Sequence, residues 1–297
     1  MSQQPESVAG VSLSRVHGGP LKAKVHRTVV HMLKDAAERA PDREALVCGD
    51  VRLTYAQFLS CVAAFAHELQ GLGAAGQRVA MILGNSLETA IAMFAIHAAG
   101  AQQVPLNPTY SDRELTDLLS DSAPVIVLCE AARLASIEAM AARLGIRVCL
   151  GLGAGGKLFA DPDYRRNKFD LPSLPNPGDL ATLQYTGGTS GRPKGVNSLH
   201  GPMSFNVAQR EGVVTTMEGE RVLCVMPLFH VYATSTALYL SVYARGTLVI
   251  LPKYRPDILL HTLTTERITF FPGRSQRADP LFSWKYPQHK GLGKICP

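Results

Sequence analysis

Residues 184–196 read "QYTGGTSGRPKGV" and continue an apolar run, "LATLQYT", that begins at Leu180. The run reads as a buried strand, so the glycines start where a strand ends. Consecutive glycines let the backbone turn with positive φ and aim successive N–H groups at one anion. The hydroxyls of Thr186, Thr189 and Ser190 add donors for phosphate oxygens or a ligand for Mg2+, and Lys194 can seat a point charge on a β- or γ-phosphate. A solvated glycine–serine loop is the plain alternative. It explains neither three hydroxyls beside a lysine nor the abrupt start after a buried strand. A Walker A loop is excluded by the letters, because it ends in Gly-Lys-Ser/Thr, whereas here Pro193 precedes the lysine and Gly195 follows it.

Working outward, the upstream chain alternates between strand and helix. "ALVCGDVRLTY" reads as a hairpin turning at Gly49-Asp50. Thr54 then caps a helix whose apolar residues Tyr55, Phe58, Val62, Phe65 and Leu69 fall at helical spacing. "QRVAMIL" is a strand, Asn85 with Glu88 opens the helix "SLETAIAMFAIHAAG", and Gly100 closes it. "QQVPL" and "APVIVLC" read as strands around a helix started by a Ser111/Glu114 capping box, and "EAARLASIEAMAARLG" with "IRVCL" repeats the pattern. Apolar strands alternating with amphipathic helices predict an α/β fold with a parallel sheet. Residues 151–179 lose periodicity and read as a linker or surface excursion. Beyond the glycine run a helix is expected from about Met203, then the strands "RVLCVMP", "GTLVILP" and "RITFFPG".

Two further patterns are weaker than they look. "GLGAGG" (Gly151, Gly153, Gly156) matches half of a dinucleotide-binding fingerprint, but the following "KLFADPDYRRN" does not continue as a helix that could face a pyrophosphate. From Val222 to Ala244 there is no Asp, Glu, Lys or Arg. Pro227 and His230 interrupt that run, and the helical part of about 15 residues spans roughly 22 Å, short of the ~30 Å of a hydrocarbon core. The expectation is a buried strand, a turn and a buried helix, with no integral membrane segment.

Composition narrows the classes further. Of 297 residues, 46% are hydrophobic and 18% charged, which excludes a disordered chain. The net charge of +6 suits an anionic ligand such as a nucleotide. Before residue 274 no Lys/Arg cluster with interleaved aromatics suggests nucleic acid. Six scattered cysteines without metal-ligand spacing read as buried reduced thiols, and hence as a cytoplasmic protein.

"YTGGTSGRPKGV" resembles the phosphate-binding loop of the adenylate-forming (AMP-binding) enzymes, the superfamily of acyl-CoA synthetases, luciferases and peptide-synthetase adenylation domains. Three more stretches agree in order: "LTYAQF", "AGAQQVPLNPTYSDREL" and "MPLFHVYA". The form "LQYTGGTSG" is most similar to the fatty-acyl-CoA ligases. The resemblance implies an α/β large domain with mixed and parallel sheets flanked by helices. It also implies a two-step reaction: a carboxylate attacks the α-phosphate of ATP, and coenzyme A then displaces AMP to give a thioester. By the same resemblance Thr186, Gly187, Gly188, Thr189, Ser190, Gly191 and Lys194 grip the β/γ-phosphates, and Thr186 is the candidate Mg2+ ligand. Lys194 and His230 are the candidate catalytic residues, His230 bordering the carboxylate and the acyl tunnel. The alternative for His230 is a buried histidine in an apolar turn.

The resemblance spans roughly residues 25–273, after a flexible 1–24. Segments expected further along the family, for adenine, ribose and the adenylation lysine, together with a small C-terminal domain, are not found. Residues 274–297, "RSQRADPLFSWKYPQHKGLGKICP", read instead as an atypical basic tail outside the family fold. The expectation is an N-terminal part with an incomplete adenylation domain. Two functions stand open: an acyl-CoA ligase acting on a carboxylate, in particular a fatty acid, or a non-catalytic nucleotide- or acyl-binding fragment. Oligomeric state is left open.

Overall fold

A computed structural model describes residues 23–159, 161, 164, 169–187, 193–211, 215–273 and 295–296. Helix α1 (Val29–Arg39) is capped by Thr28, whose Oγ1 accepts from the His31 N–H at 3.3 Å. Strands β1 (Glu44–Cys48) and β2 (Val51–Thr54) form the expected hairpin, with Gly49 at a φ of 57°. Helix α2 (Tyr55–Gly71) opens on a reciprocal capping box: Thr54 Oγ1 accepts from the Gln57 N–H at 3.3 Å, and Gln57 Oε1 from the Thr54 N–H at 2.9 Å. Strand β3 (Arg78–Ile82), helix α3 (Leu87–Ala98), β4 (Gln102–Leu106), α4 (Asp112–Ser122), β5 (Ile126–Glu130), α5 (Leu134–Arg143) and β6 (Val148–Leu152) follow the predicted alternation. The Ser111/Glu114 capping box on α4 is present.

After residue 179 come β7 (Leu180–Thr186), β8 (Lys194–Leu199), α6 (His200–Glu211) and β9 (Arg221–Cys224). Helix α7 runs through Val231–Ala233, a π-helical Thr234–Tyr239 and Leu240–Tyr243. It leads to β10 (Thr247–Ile250), α8 (Pro256–Thr265) and the short strand β11 (Phe271–Pro272), which pairs in parallel with β12 (Ile295–Cys296).

The strands assemble into two main sheets. The larger has the order β6-β5-β3-β4-β7-β8, parallel throughout except for the antiparallel β7–β8 pair. The smaller has the order β2-β1-β10-β9, with β1, β10 and β9 parallel. Alternation along each strand feeds different layers. Val79 and Met81 of β3 face the main cluster with α2 and α3, while Ala80 and Ile82 pack with Leu115, Leu118 and Ile137 from α4 and α5. Leu46 of β1 joins the main cluster, and Val47 packs with Leu223, Val249 and Leu259 of α8. The order of layers is therefore α4/α5, large sheet, α1–α2–α3–α7, small sheet, α8. The architecture is α/β with mixed sheets flanked by helices.

Three sequence expectations change in detail. Ser86, not Asn85, caps α3, its Oγ accepting from the Thr89 N–H at 3.1 Å. Strand β8 was not anticipated, and α6 starts at His200 ahead of Met203. The reason is that β8 is a sheet edge with no buried residue, so burial imposes no apolar alternation on "KGVNSL". The excursion after β6 is tied down rather than free. Phe159 is fully buried 4.9 Å from the Phe65 ring, and Lys157 pairs with Glu68 of α2. Gly156 sits where a Cβ would come within 2.4 Å of the Gly151 carbonyl oxygen, so "GLGAGG" closes a tight return turn.

Candidate functional site: a glycine hairpin and its neighbouring turn

Strand β7 runs parallel to β4, which places the glycine run at the carboxyl edge of the large sheet, the edge where open α/β sheets hold their ligands. Only Gln103 and Thr182 pair across that boundary. The outer part of β7 continues instead as an arm with β8, in which Gln184 faces Val196, Tyr185 faces Gly195 and Thr186 faces Lys194. Thr186 and Lys194, both exposed, thus flank the base of the loop, with Thr186 Oγ1 3.4 Å from the Lys194 carbonyl oxygen. Gly187 is also exposed. Gly188, Thr189, Ser190, Gly191 and Arg192 lie outside the described residues. Gly195 packs closely against β7, where a Cβ would come within 2.9 Å of Leu183 Cδ1 and that side chain would have to shift. The Tyr185 hydroxyl donates to the Asp121 carboxylate; burial, reinforced by that carboxylate, holds the phenol well above its usual range.

His230 stands on the neighbouring turn, Val225–His230, between β9 and α7. It is exposed, so the alternative of a buried histidine does not hold. Its Nδ1 accepts from the Tyr232 N–H at 3.2 Å, capping α7, and its own N–H donates to the Pro227 carbonyl at 3.0 Å. The Gln184 side-chain amide of β7 lies 3.4 Å from the Phe229 carbonyl oxygen. That contact joins the phosphate-loop arm to the His230 turn. The two segments that the sequence singles out thus share this one side chain–backbone contact.

The His230 turn is itself held by a residue first read as a helix opener. Asn85, at the end of β3 and only 9% exposed, points its side chain into this turn. Its Nδ2 lies 3.1 Å from the Met226 carbonyl, 3.3 Å from that of Leu251 and 3.5 Å from that of Val225, and its Oδ1 accepts from the Leu228 N–H at 2.8 Å. The signal in the sequence was the pair Asn85-Ser86: two capping residues in a row leave one of them free for another partner.

Among the described residues no group of three or more His, Cys, Asp or Glu side chains could hold a metal ion. Thr186 offers a single neutral oxygen. That suits Mg2+ arriving on a triphosphate, where phosphate oxygens and water supply most of its octahedron.

The model of the AMP-binding enzyme family matches residues 33–291, from within α1 to beyond Gly273. The chain belongs to the AMP-binding enzyme family. It is 28% identical to a long-chain-fatty-acid–CoA ligase of Bacillus subtilis over 303 aligned residues, covering 91% of this chain and 54% of that protein. It is 30% identical to a feruloyl-CoA synthase of Amycolatopsis, covering 80% of this chain and 46% of that protein. The crystal structure of ATP-bound MatB from Rhodopseudomonas palustris superposes with a TM-score of 0.73 at 26% identity, covering 83% of this chain and 49% of the other. The chain thus spans about half the length of the curated relatives it matches. No helix among the described residues is long and apolar enough to cross a membrane.

Proposed function

We propose that this protein takes part in ATP-dependent activation of a carboxylic acid, through an acyl-adenylate to an acyl-CoA thioester. The observation that carries the reading is the joining of the glycine hairpin to the His230 turn through Gln184 in a member of this family. The loop Thr186–Gly191 would bind the β/γ-phosphates through its N–H and hydroxyl groups. Lys194 would neutralise charge that grows on pyrophosphate as it leaves. Thr186 would add one ligand to Mg2+, which supplies Lewis-acid polarisation of the phosphoryl oxygens when bound. His230, capping α7 and open to solvent, would border the incoming carboxylate and its acyl chain.

A fatty acid is the substrate class we favour, from the fatty-acid ligase among the relatives; the feruloyl-CoA synthase is the competing direction. Coenzyme A is the proposed acceptor. Five cysteines, Cys48, Cys61, Cys129, Cys149 and Cys224, are free thiols, and burial pushes Cys129 and Cys224 up to about 12. Inert buried thiols suit the cytoplasm, where we place the protein.

A second reading rests on coverage. A chain spanning about half of its relatives can serve as a non-catalytic nucleotide- or acyl-binding protein. Turnover separates the two. Pyrophosphate release is measured with ATP, Mg2+ and either fatty acids of several lengths or ferulate. Binding of ATP and acid without release above background is the result expected for this chain alone, because positioning groups of the kind supplied by the family's remaining segments are each worth orders of magnitude in rate. Sustained turnover at roughly 1 s⁻¹ or faster establishes the ligase outright.

A further inference from the structure

We propose that Asn85 is the positioning residue for the carboxylate-binding turn: one buried amide fixes Val225–His230 against the ends of β3 and β10. This rests on the reading of His230 as a border of the acid site. Three carbonyl oxygens and one N–H converge on the Asn85 side chain, those of Val225, Met226 and Leu251 on Nδ2 and that of Leu228 on Oδ1. The amide orientation is unambiguous, since a flip would set its oxygen against three carbonyls. An amide is the side chain that offers donors and an acceptor at this reach. Aspartate would repel the carbonyls, and leucine would leave them unpaired.

The partners come from distant parts of the chain. Val225 to Leu228 follow β9, Leu251 follows β10, and Asn85 follows β3 of the other sheet. Asn85 therefore couples both sheets at the point where the turn departs. Within the turn, Thr234 Oγ1 donates to the Leu228 carbonyl at 2.8 Å, so Leu228 is held from both of its backbone groups and its side chain is fully buried. The exposed His230 lies two residues on. The turn is anchored by Leu228 and by Val225, which packs beside β9 and β10, and these polar ties set its backbone between and beyond them. Loosening them displaces His230 but leaves Thr186 and Lys194, which hang on the β7–β8 ladder.

The experiment compares the full chain with Asn85→Ala, Asn85→Asp and a control, Ile137→Ala, whose side chain is buried on the far side of the large sheet. Amide hydrogen exchange is read at Leu228, and affinity is titrated separately with a fluorescent long-chain fatty acid and with MgATP. In Asn85→Ala, exchange at Leu228 and the dissociation constant for the acid are each expected to rise about tenfold, the scale of one lost hydrogen bond, while the MgATP constant stays within about twofold. Asn85→Asp keeps the acceptor for Leu228 but turns a donor into an acceptor. It is expected to protect Leu228 and still lose acid affinity, and it provides the answer if the alanine variant does not fold. Unchanged exchange at Leu228 in Asn85→Ala overturns the clasp. Parallel losses for both ligands, matched by Ile137→Ala, overturn the positioning role. A wild-type chain that binds neither ligand overturns the functional reading, and the clasp then stands or falls on Leu228 exchange alone.

Discussion

Helix α3 and the β7–β8 arm are built on opposite terms. Every residue of α3 from Leu87 to Ala98 is buried, between two sheets and beside α2. Strand β8 buries none of its residues and is held by its ladder to β7. Apolar burial stabilises the first region, and backbone hydrogen bonds position the second. The difference assigns stability to the middle layer and leaves Thr186 and Lys194 exposed at the edge, the position that the proposed anion site requires. Substitutions that obey this division confirm it, and those that cross it break it.

The largest effect is expected in the middle layer. Phe94 of α3 is fully buried, edge-on to Phe58 at 5.4 Å and to Tyr239 at 5.6 Å. Phe94→Ala should cost about 3–5 kcal/mol by urea unfolding, the usual range for emptying an aromatic core site. A loss below about 1 kcal/mol would show that the layer collapses around the hole.

Acid probes the same layer through two histidines. His97 of α3 and His200 of α6 are fully buried, with ring centroids 5.0 Å apart, and both His200 nitrogens and His97 Nδ1 lack hydrogen-bond partners among the described residues. Burial lowers His200 to about 4, with Asp179 opposing and His31 adding to the effect, and holds His97 well below its ordinary value, with His200 adding to it. Between about 6.5 and 4 the unfolded chain therefore binds more protons than the folded one. The stability from keeping these rings neutral is complete above about pH 6.5 and lost as pH falls toward 4. The scale is about 3 kcal/mol for His200. Melting temperatures from pH 7.5 to 4.5 should fall, and His200→Asn should flatten the slope. A profile insensitive to that substitution would assign the acid response elsewhere.

At the edge the expectation reverses. Lys194→Ala should leave the melting temperature unchanged and weaken pyrophosphate or ATP binding by ~1.5–3 kcal/mol in calorimetry, the range for a hydrogen bond to a charged group. Arg192→Ala should matter less, because the family resemblance gives the phosphate contact to Lys194. Equal losses at both positions would mark a diffuse basic patch. The smallest effect belongs to Thr54→Ala, which removes the α2 capping box and should cost about 1 kcal/mol without touching ligand affinity.

The sequence by itself determined the local elements. Thr54 and Ser111 with their partners at the third helical position announced two helix starts, Gly49 announced a hairpin, and the glycine run announced the end of strand β7 within the family's motif order. These signals act over a few residues, through dihedral preference, capping and side-chain period. Tertiary structure decided what such rules do not reach. It set β1 beside β10, pairing Leu46 with Leu248 and Cys48 with Ile250. It exposed His230 despite its apolar neighbours, made an edge strand of the polar "KGVNSL", and gave Asn85 four partners beyond its own helix. The physical reason is range: a cap or a period is satisfied within one turn, whereas strand partnership and a buried amide are satisfied only when distant segments are brought together in a common core.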